Sequence, residues 1–351
     1  MTRTMKWILP ATLLLAATVL LAAPAFAGGL DRLGTAGAQE LRVPVGAASV
    51  ALGGSSVAMG GGLSNVFYNP ASVASTDQSE AMASWSSYLA DADVNYVALS
   101  TKLGNQGNLG FSVKVLNVGD ITVTTEEAPE GTGEILTPNF AVIGITYGRR
   151  MTDRVLLGAT GTFINERVAD ASARGFAFDL GVQYDTGWRG LRFGFAMKNV
   201  GPSMRFDGPD FEERVQVPGD DPSAQPHVVR LHASSFELPS YLQIGGIYDV
   251  RFAENRTLSV LAAFQGNNFN TDEYRLGGEF MFGEWLALRG GFTGQLAFDE
   301  ADRQEDYLYS YSYGAGLNFK LGSTPFAFDW AGTGVGEFFD DNQQVSLRVA
   351  F

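Results

Sequence analysis

The sequence predicts an all-β protein: a 14-stranded antiparallel transmembrane β-barrel with a small N-terminal hatch, or plug. Three observations predict it, namely an export signal, strands of alternating polarity whose long connections fall at one end, and an aromatic C-terminal strand. The composition agrees, because the 351 residues include 43 Gly and 25 Phe but only 18% charged residues, fewer than a water-facing surface usually carries. The chain has no cysteine, which excludes disulfide scaffolds and thiolate chemistry.

The first 27 residues predict an export signal. Arg3 and Lys6 precede an apolar run over residues 7–23, and Pro24-Ala25-Phe26-Ala27 closes the segment. A basic start, a short apolar run and a small-residue A-x-A exit are typical of a cleaved secretory signal. The remaining 324 residues hold 22 basic and 38 acidic side chains, a net charge of -16. No other stretch has the 18 or more apolar residues of a spanning helix, so we expect any membrane insertion to use a barrel.

Alternation of side chains predicts the strands. Phe176, Phe178 and Leu180 alternate with small or charged residues, which is the two-residue period of a strand with two different faces. The large apolar side chains point to lipid and the small or polar ones to a lumen in a membrane barrel. A soluble two-sheet protein would show the same period, so the period alone leaves both open.

The connections favour the barrel. Fourteen candidate strands cover residues 80–89, 93–102, 107–117, 140–149, 154–167, 173–186, 190–200, 240–251, 256–266, 272–282, 285–294, 307–319, 324–331 and 342–351. The long connections, 118–139, 201–239, 295–306 and 332–341, all follow odd-numbered strands. Outer-membrane barrels have short periplasmic turns and long outer loops, so we expect both termini in the periplasm of a Gram-negative (diderm) bacterium. The terminal Phe351 resembles a barrel insertion signal.

The four long loops carry the acidity. Their net charges of -5, -4, -4 and -3 account for the whole -16. We predict that Glu126, Glu127, Glu130, Glu134, Asp220 and Asp221 contact a partner protein. The solubility of exposed loops also explains their acidic charge, and we favour that interpretation. The acidic balance argues against nucleic-acid binding, which needs basic side chains.

Residues 28–78 predict the hatch, and residues 79–351 the barrel. The segment is rich in small residues, which allow close backbone packing. Asn69 and Pro70 predict the start of a short helix, because Asn caps helices and Pro suits their first position. We assign Gly53, Gly54, Tyr68, Asn69 and Pro70 to the hatch.

The sequence predicts no enzyme, cofactor or metal site. His227 and His232 are the only histidines, and their spacing of five fits neither a helix face nor a strand face. Mixed inward charges predict lumen ion pairs that hold the hatch: Lys114, Asp179, Arg192, Lys198, Arg275, Glu279, Arg289, Asp329 and Arg348.

Several motifs resemble one family. Leu52-Gly53-Gly54, the run Phe67 to Ala71 and the loop Glu130-Gly131-Thr132-Gly133-Glu134 look like the PorV/PorQ family, a branch of the FadL-like outer-membrane barrels. The resemblance continues at residues 147–154, 178–181 and 198–202. It implies a 14-stranded barrel with a hatch, and a role in type IX secretion in which cargo proteins are received and passed on at the cell surface.

Two non-enzymatic functions therefore remain. In the first, the protein is a secretion component whose acidic loops meet cargo or partner proteins. In the second, it is a FadL-like transporter of hydrophobic small molecules, gated by hatch residues near 60–69. The length of loop 201–239 favours the first, and both place the barrel in outer-membrane lipid.

Overall fold

A closed barrel of fourteen antiparallel strands forms the body of the protein. The computed structural model describes residues 32–215, 227–253, 255–295, 309–336 and 340–351. The strands are β1 (Glu80–Ser87), β2 (Asp93–Lys102), β3 (Asn108–Asn117), β4 (Asn139–Thr152), β5 (Val155–Val168), β6 (Ala171–Asp185), β7 (Leu191–Val200), β8 (Tyr241–Ala253), β9 (Arg256–Asn267), β10 (Glu273–Phe282), β11 (Leu286–Gln295), β12 (Tyr309–Leu321), β13 (Thr324–Val335) and β14 (Asn342–Ala350). Each pairs with its neighbours in sequence, and β1 pairs with β14. The predicted fold class is confirmed.

The two faces of the wall differ as predicted. On β6, Phe176, Phe178 and Leu180 point outward and are 58%, 61% and 48% exposed, whereas Ala177 and Asp179 between them are buried. Aromatic and branched side chains on a pleated surface favour the strand, and the lumen side has room only for small or paired polar groups. The outer face therefore forms an apolar belt.

The connections divide the barrel into two ends. The turn end holds the connections after even-numbered strands, namely residues 103–107, 153–154, 186–190, 254–255, 283–285 and 322–323. The loop end holds the others, including residues 118–138 and 201–240. Each of these two loops contains a small hairpin, formed by Ile121–Thr122 with Ile135–Leu136 and by Glu212–Val215 with His227–Arg230.

Two strands, β4 and β13, are four residues longer than predicted. β4 continues past residue 149, with Arg149 and Arg150 opposite Leu157 and Leu156. β13 continues past residue 331, with Thr333 opposite Asn342. Polar side chains at a barrel rim interrupt the apolar pattern without interrupting the backbone ladder, so alternation underestimates the strand length.

The described chain begins and ends at opposite ends of the barrel. The backbone N–H of Phe351 donates to the carbonyl of Ser79 at the turn end. Arg32 lies at the loop end, where its guanidinium is 2.7 Å from the carboxylate of Glu237. The plug therefore enters the lumen from the loop end and runs down to β1. The predicted position of both termini in the periplasm stays a prediction. Residues 1–31 lie outside the described residues.

Candidate functional site: the plug and the lumen cavity

Residues 36–75 form a plug of short turns inside the barrel. It contains one short α-helix, α1 (Ala47–Val50), and the 3-10 helices Gln39–Leu41, Ser56–Ala58, Gly62–Asn65 and Pro70–Ser75. The predicted helix start at Asn69 and Pro70 is confirmed, since the Asn69 side chain accepts from the N–H of Ala71 at 3.0 Å. Among the described residues no helix has the length and apolar character needed to cross a membrane.

Glycines on the lumen side of the barrel wall allow the plug to pack closely against it. We call this set the glycine seat: Gly148, Gly158, Gly181, Gly194, Gly277, Gly291 and Gly314. A Cβ at Gly158 would overlap the backbone of Pro70 and Ala71, and one at Gly194 would overlap the backbone of Val57. Plug backbone therefore lies directly against wall backbone, which only glycine permits at this distance.

Buried amide side chains donate hydrogen bonds to backbone carbonyls of the plug. The Asn69 amide donates to the carbonyl of Val57 at 2.7 Å and to that of Val182 on β6 at 3.1 Å. The Asn65 amide donates within the plug, to Ser56 and Met59. Backbone groups that no regular ladder satisfies are costly when buried, so these amides replace the missing ladder bonds.

Ion pairs line the lumen. Arg289 lies 2.7 Å from Glu279 and 2.6 Å from Asp329, and Lys198 lies 2.5 Å from Asp179. Other charged side chains hold the plug directly. Lys114 donates to the carbonyl of Val43 at 3.1 Å. Glu80 pairs with Arg348 and accepts from the N–H of Leu63.

A cavity of about 440 Å³ lies between the plug and the wall. Its apolar side is lined by Val43, Pro44, Val50, Phe67, Tyr88, Leu89 and Leu116. Of the predicted hatch residues, Gly53, Gly54 and Tyr68 line this cavity, whereas Asn69 and Pro70 face the wall at Gly181. The predicted set is thus divided between a ligand-accessible space and the glycine seat.

One end of the cavity is lined by two arginines and a glutamate. The carboxylate of Glu273 lies 3.3 Å from Arg42 and 2.6 Å from Arg275. Two guanidinium groups therefore contact the same carboxylate. The Arg275 guanidinium occupies the space that a Cβ at Gly54 would need. The buried hydroxyl of Tyr68, which has no hydrogen-bond partner within the described part of the chain, belongs to the same lining.

A buried carboxyl pair joins the plug to the wall. The Glu40 carboxyl, 3% exposed, hydrogen-bonds to that of Glu166 on β5, and Lys114 interacts electrostatically with Glu40. Two carboxyl groups can share a hydrogen bond only when one of them holds a proton. Burial raises the pKa of Glu40, an effect that hydrogen bonds to its own backbone and to Glu166, and the charge of Lys114, only partly oppose.

This raised pKa predicts a pH-dependent plug. The stabilisation of the plug by the protonated Glu40 carboxyl is complete below the ordinary glutamate pKa of about 4.3. It is lost as the pH rises through the raised pKa of Glu40. We expect protease cleavage of residues 32–43 to increase between pH 5 and pH 8. In Glu40→Gln, which leaves Glu166 as the one ionisable carboxyl of the pair, the increase in cleavage with pH should be smaller. Glu126→Gln, on an exposed loop residue, serves as the control, and an unchanged pH response in Glu40→Gln would contradict the prediction.

The predicted partner-binding residues lie apart from the cavity. Glu126, Glu127, Glu130 and Glu134 are exposed on the loop-end hairpin connection. Asp220 and Asp221 lie outside the described residues. Contact between these acidic residues and a partner stays a prediction. In the part of the chain that the structure describes, no group of three or more His, Cys, Asp or Glu side chains could hold a metal ion.

Sequence reasoning missed Glu40, Arg42 and Glu273. A signal for the first two was present, because they are the only charged residues between positions 33 and 76. A charge retained in so apolar a segment needs a buried partner. No comparable signal marks Glu273, which lies on a strand with several other charged residues.

Comparison with known proteins supports the fold. No protein-family model matches the sequence, and no curated protein matches it. Among solved structures, the TodX deltaS2S3 mutant monoaromatic hydrocarbon channel aligns with a TM-score of 0.55 and 13% identity over 87% of this chain and 98% of that chain. The Pseudomonas putida toluene transporter TodX gives 0.54 and 12% over 87% and 97%, and a Pseudomonas aeruginosa FadL homologue gives 0.53 and 14% over 88% and 98%. The chain therefore has the fold of the FadL-like outer-membrane barrels.

Proposed function

We propose that the protein transports hydrophobic small molecules across the outer membrane of a Gram-negative bacterium. The observation that carries the proposal is the lumen cavity, enclosed by the plug and lined on one side by apolar residues. Its volume of about 440 Å³ falls within the range of small-molecule sites. The solved structures with this fold include a toluene transporter and a monoaromatic hydrocarbon channel, which supports transport over catalysis.

The arginine-lined end suggests how a substrate is oriented. An apolar body would pack against Phe67 and Leu116, and a carboxylate or hydroxyl head would meet Arg42, Arg275 and Tyr68. Guanidinium groups bind carboxylates through paired hydrogen bonds. We therefore expect amphipathic acids or phenols to bind better than plain hydrocarbons of the same size.

The secretion role rests on the PorV/PorQ resemblance and the long acidic loops. The solved structures of the same fold named above are channels or transporters of small molecules, and they favour the transporter alternative. The proposed orientation places the turn end in the periplasm and the acidic loops outside the cell.

Filling the cavity tests the proposal. Leu116 points into the cavity from β3, and Leu109 on the same strand points outward. Overpacking a filled site costs about 1–3 kcal/mol, so we expect Leu116→Trp to reduce uptake of a labelled hydrophobic acid by about tenfold. Leu109→Trp should leave uptake unchanged. Equal uptake by both variants, measured in cells with equal amounts of folded barrel, would contradict the transport proposal.

A further inference from the structure

Four exposed arginines gather at the turn end of the barrel. Arg149 and Arg150 lie near the end of β4, Arg154 follows in the β4–β5 turn, and Arg189 lies in the β6–β7 turn. We call these four residues the arginine rim. The two turns adjoin, because the backbone N–H of Asp185 donates to the carbonyl of Arg154 at 2.8 Å.

The arginine rim borders the apolar belt. Arg149 continues the outward face of β4 formed by Ile145 and Tyr147, which are 58% and 43% exposed. It lies opposite Leu157 on β5. Arg189 lies beside the ring of Trp188, with 5.6 Å between the guanidinium carbon and the ring centroid. Tryptophan and tyrosine mark the membrane–water boundary of barrels, so this rim lies at headgroup level.

The arginine rim retains positive charge. Among the described residues, no carboxylate lies within ion-pair distance of any of the four arginines. The acids in the two turns are Asp153 and Asp185, and Asp185 accepts from the N–H of Gly187 at 2.7 Å. Asp77, which pairs with Lys102, also interacts electrostatically with Arg150. The loop end has the opposite sign, since its long loops carry the acidic charge.

We propose that the arginine rim binds the phosphate headgroups of anionic phospholipids in the leaflet that surrounds the turn end. An arginine stem lies along apolar surface while its guanidinium extends to the interface. Guanidinium groups bind phosphate through paired hydrogen bonds, and an anionic surface complements the unpaired charge of the rim. The site is independent of the lumen and of the transport proposal.

Lipid retention tests the arginine rim. Full-length mature barrel in detergent is exchanged with equal amounts of dioleoyl phosphatidylglycerol and dioleoyl phosphatidylcholine, and bound lipid is counted by native mass spectrometry. Each arginine near an anionic surface adds about fivefold to binding, so the native protein should retain phosphatidylglycerol at least about fivefold over phosphatidylcholine. Arg149→Gln/Arg154→Gln/Arg189→Gln should lose this preference. The matched control, Arg167→Gln/Arg174→Gln/Arg205→Gln, removes three exposed arginines at the loop end and should keep it.

Two results would overturn the proposal. Equal retention of the two lipids by the native protein would show that the rim does not select anionic headgroups. An equal loss in both triple variants would show that net charge alone is responsible. Folding of each variant is checked by the gel shift between unheated and heated samples. Uptake of hydrophobic acid, measured in parallel, should be unchanged in the rim variant, so failure of the rim and failure of transport are distinguishable.

Discussion

Replacing Gly158 by valine is expected to unseat the plug while the barrel stays closed. A Cβ at this position would overlap the backbone of Pro70 and Ala71. Side chains can rotate away from an added group, but backbone held on both sides cannot, so we expect a loss of about 3 kcal/mol or more in plug attachment. The strand itself tolerates valine, which favours β structure.

Gly161 supplies the matched control on the same strand. It faces outward, and a Cβ there would meet nothing nearer than the Phe178 ring at 3.9 Å. In Gly158→Val, we expect rapid protease cleavage within residues 36–75 and raised ion conductance in planar bilayers. Gly161→Val should resemble the native protein in both measurements. If Gly158→Val keeps a protected, non-conducting plug, the glycine seat does not hold the plug.

Replacing Arg289 by methionine is expected to destabilise the barrel strongly. Arg289, Glu279 and Asp329 are each less than one-tenth exposed, and both acids depend on the same guanidinium. Removing it leaves two neighbouring carboxylates without a counterion, and breaking a buried pair in this way costs about 3–5 kcal/mol. Urea titration of the barrel in detergent, followed by tryptophan fluorescence, measures the loss.

Removing all three charges of this cluster tests whether the lost stability comes from uncompensated charge. Arg289→Met/Glu279→Gln/Asp329→Asn removes all three charges, and we expect it to recover most of the lost stability, because neutral amides can hydrogen-bond to each other. Arg192→Met, which opens the more exposed pair with Asp249, should cost about 1 kcal/mol or less. A triple variant no more stable than Arg289→Met would show that lost packing, rather than uncompensated charge, causes the effect.

The barrel could be predicted because its information is local. Alternation on β6 and the positions of the long loops need only residues close together in the chain, and both are observed. The cap at Asn69 and Pro70 is local in the same sense. The last residues of β4 and β13, up to Thr152 and Val335, were missed because backbone pairing continues where the side-chain pattern stops.

The cavity could not be predicted because the residues that pair with each other along its lining are far apart in sequence. Arg42 meets Glu273 across 231 positions, and Glu40 meets Glu166 across the plug–wall boundary. Inward charges were recognised as a group, but their pairing depends on the register between strands and on the path of the plug. That path, with Arg32 at the loop end, has no signature in a segment of small residues.

The direct contact between plug backbone and wall backbone at the glycine seat also sets the timescale on which the lumen can open there. Side chains change rotamer in picoseconds to nanoseconds, whereas displacement of a packed segment takes microseconds or longer. Where Gly158 and Gly194 meet the plug, no wall side chain lies between the two surfaces, so no fast rotamer change can open a gap there. Leakage of ions along this boundary should therefore be rare and stepwise, as discrete events in single-channel records, rather than a continuous background current.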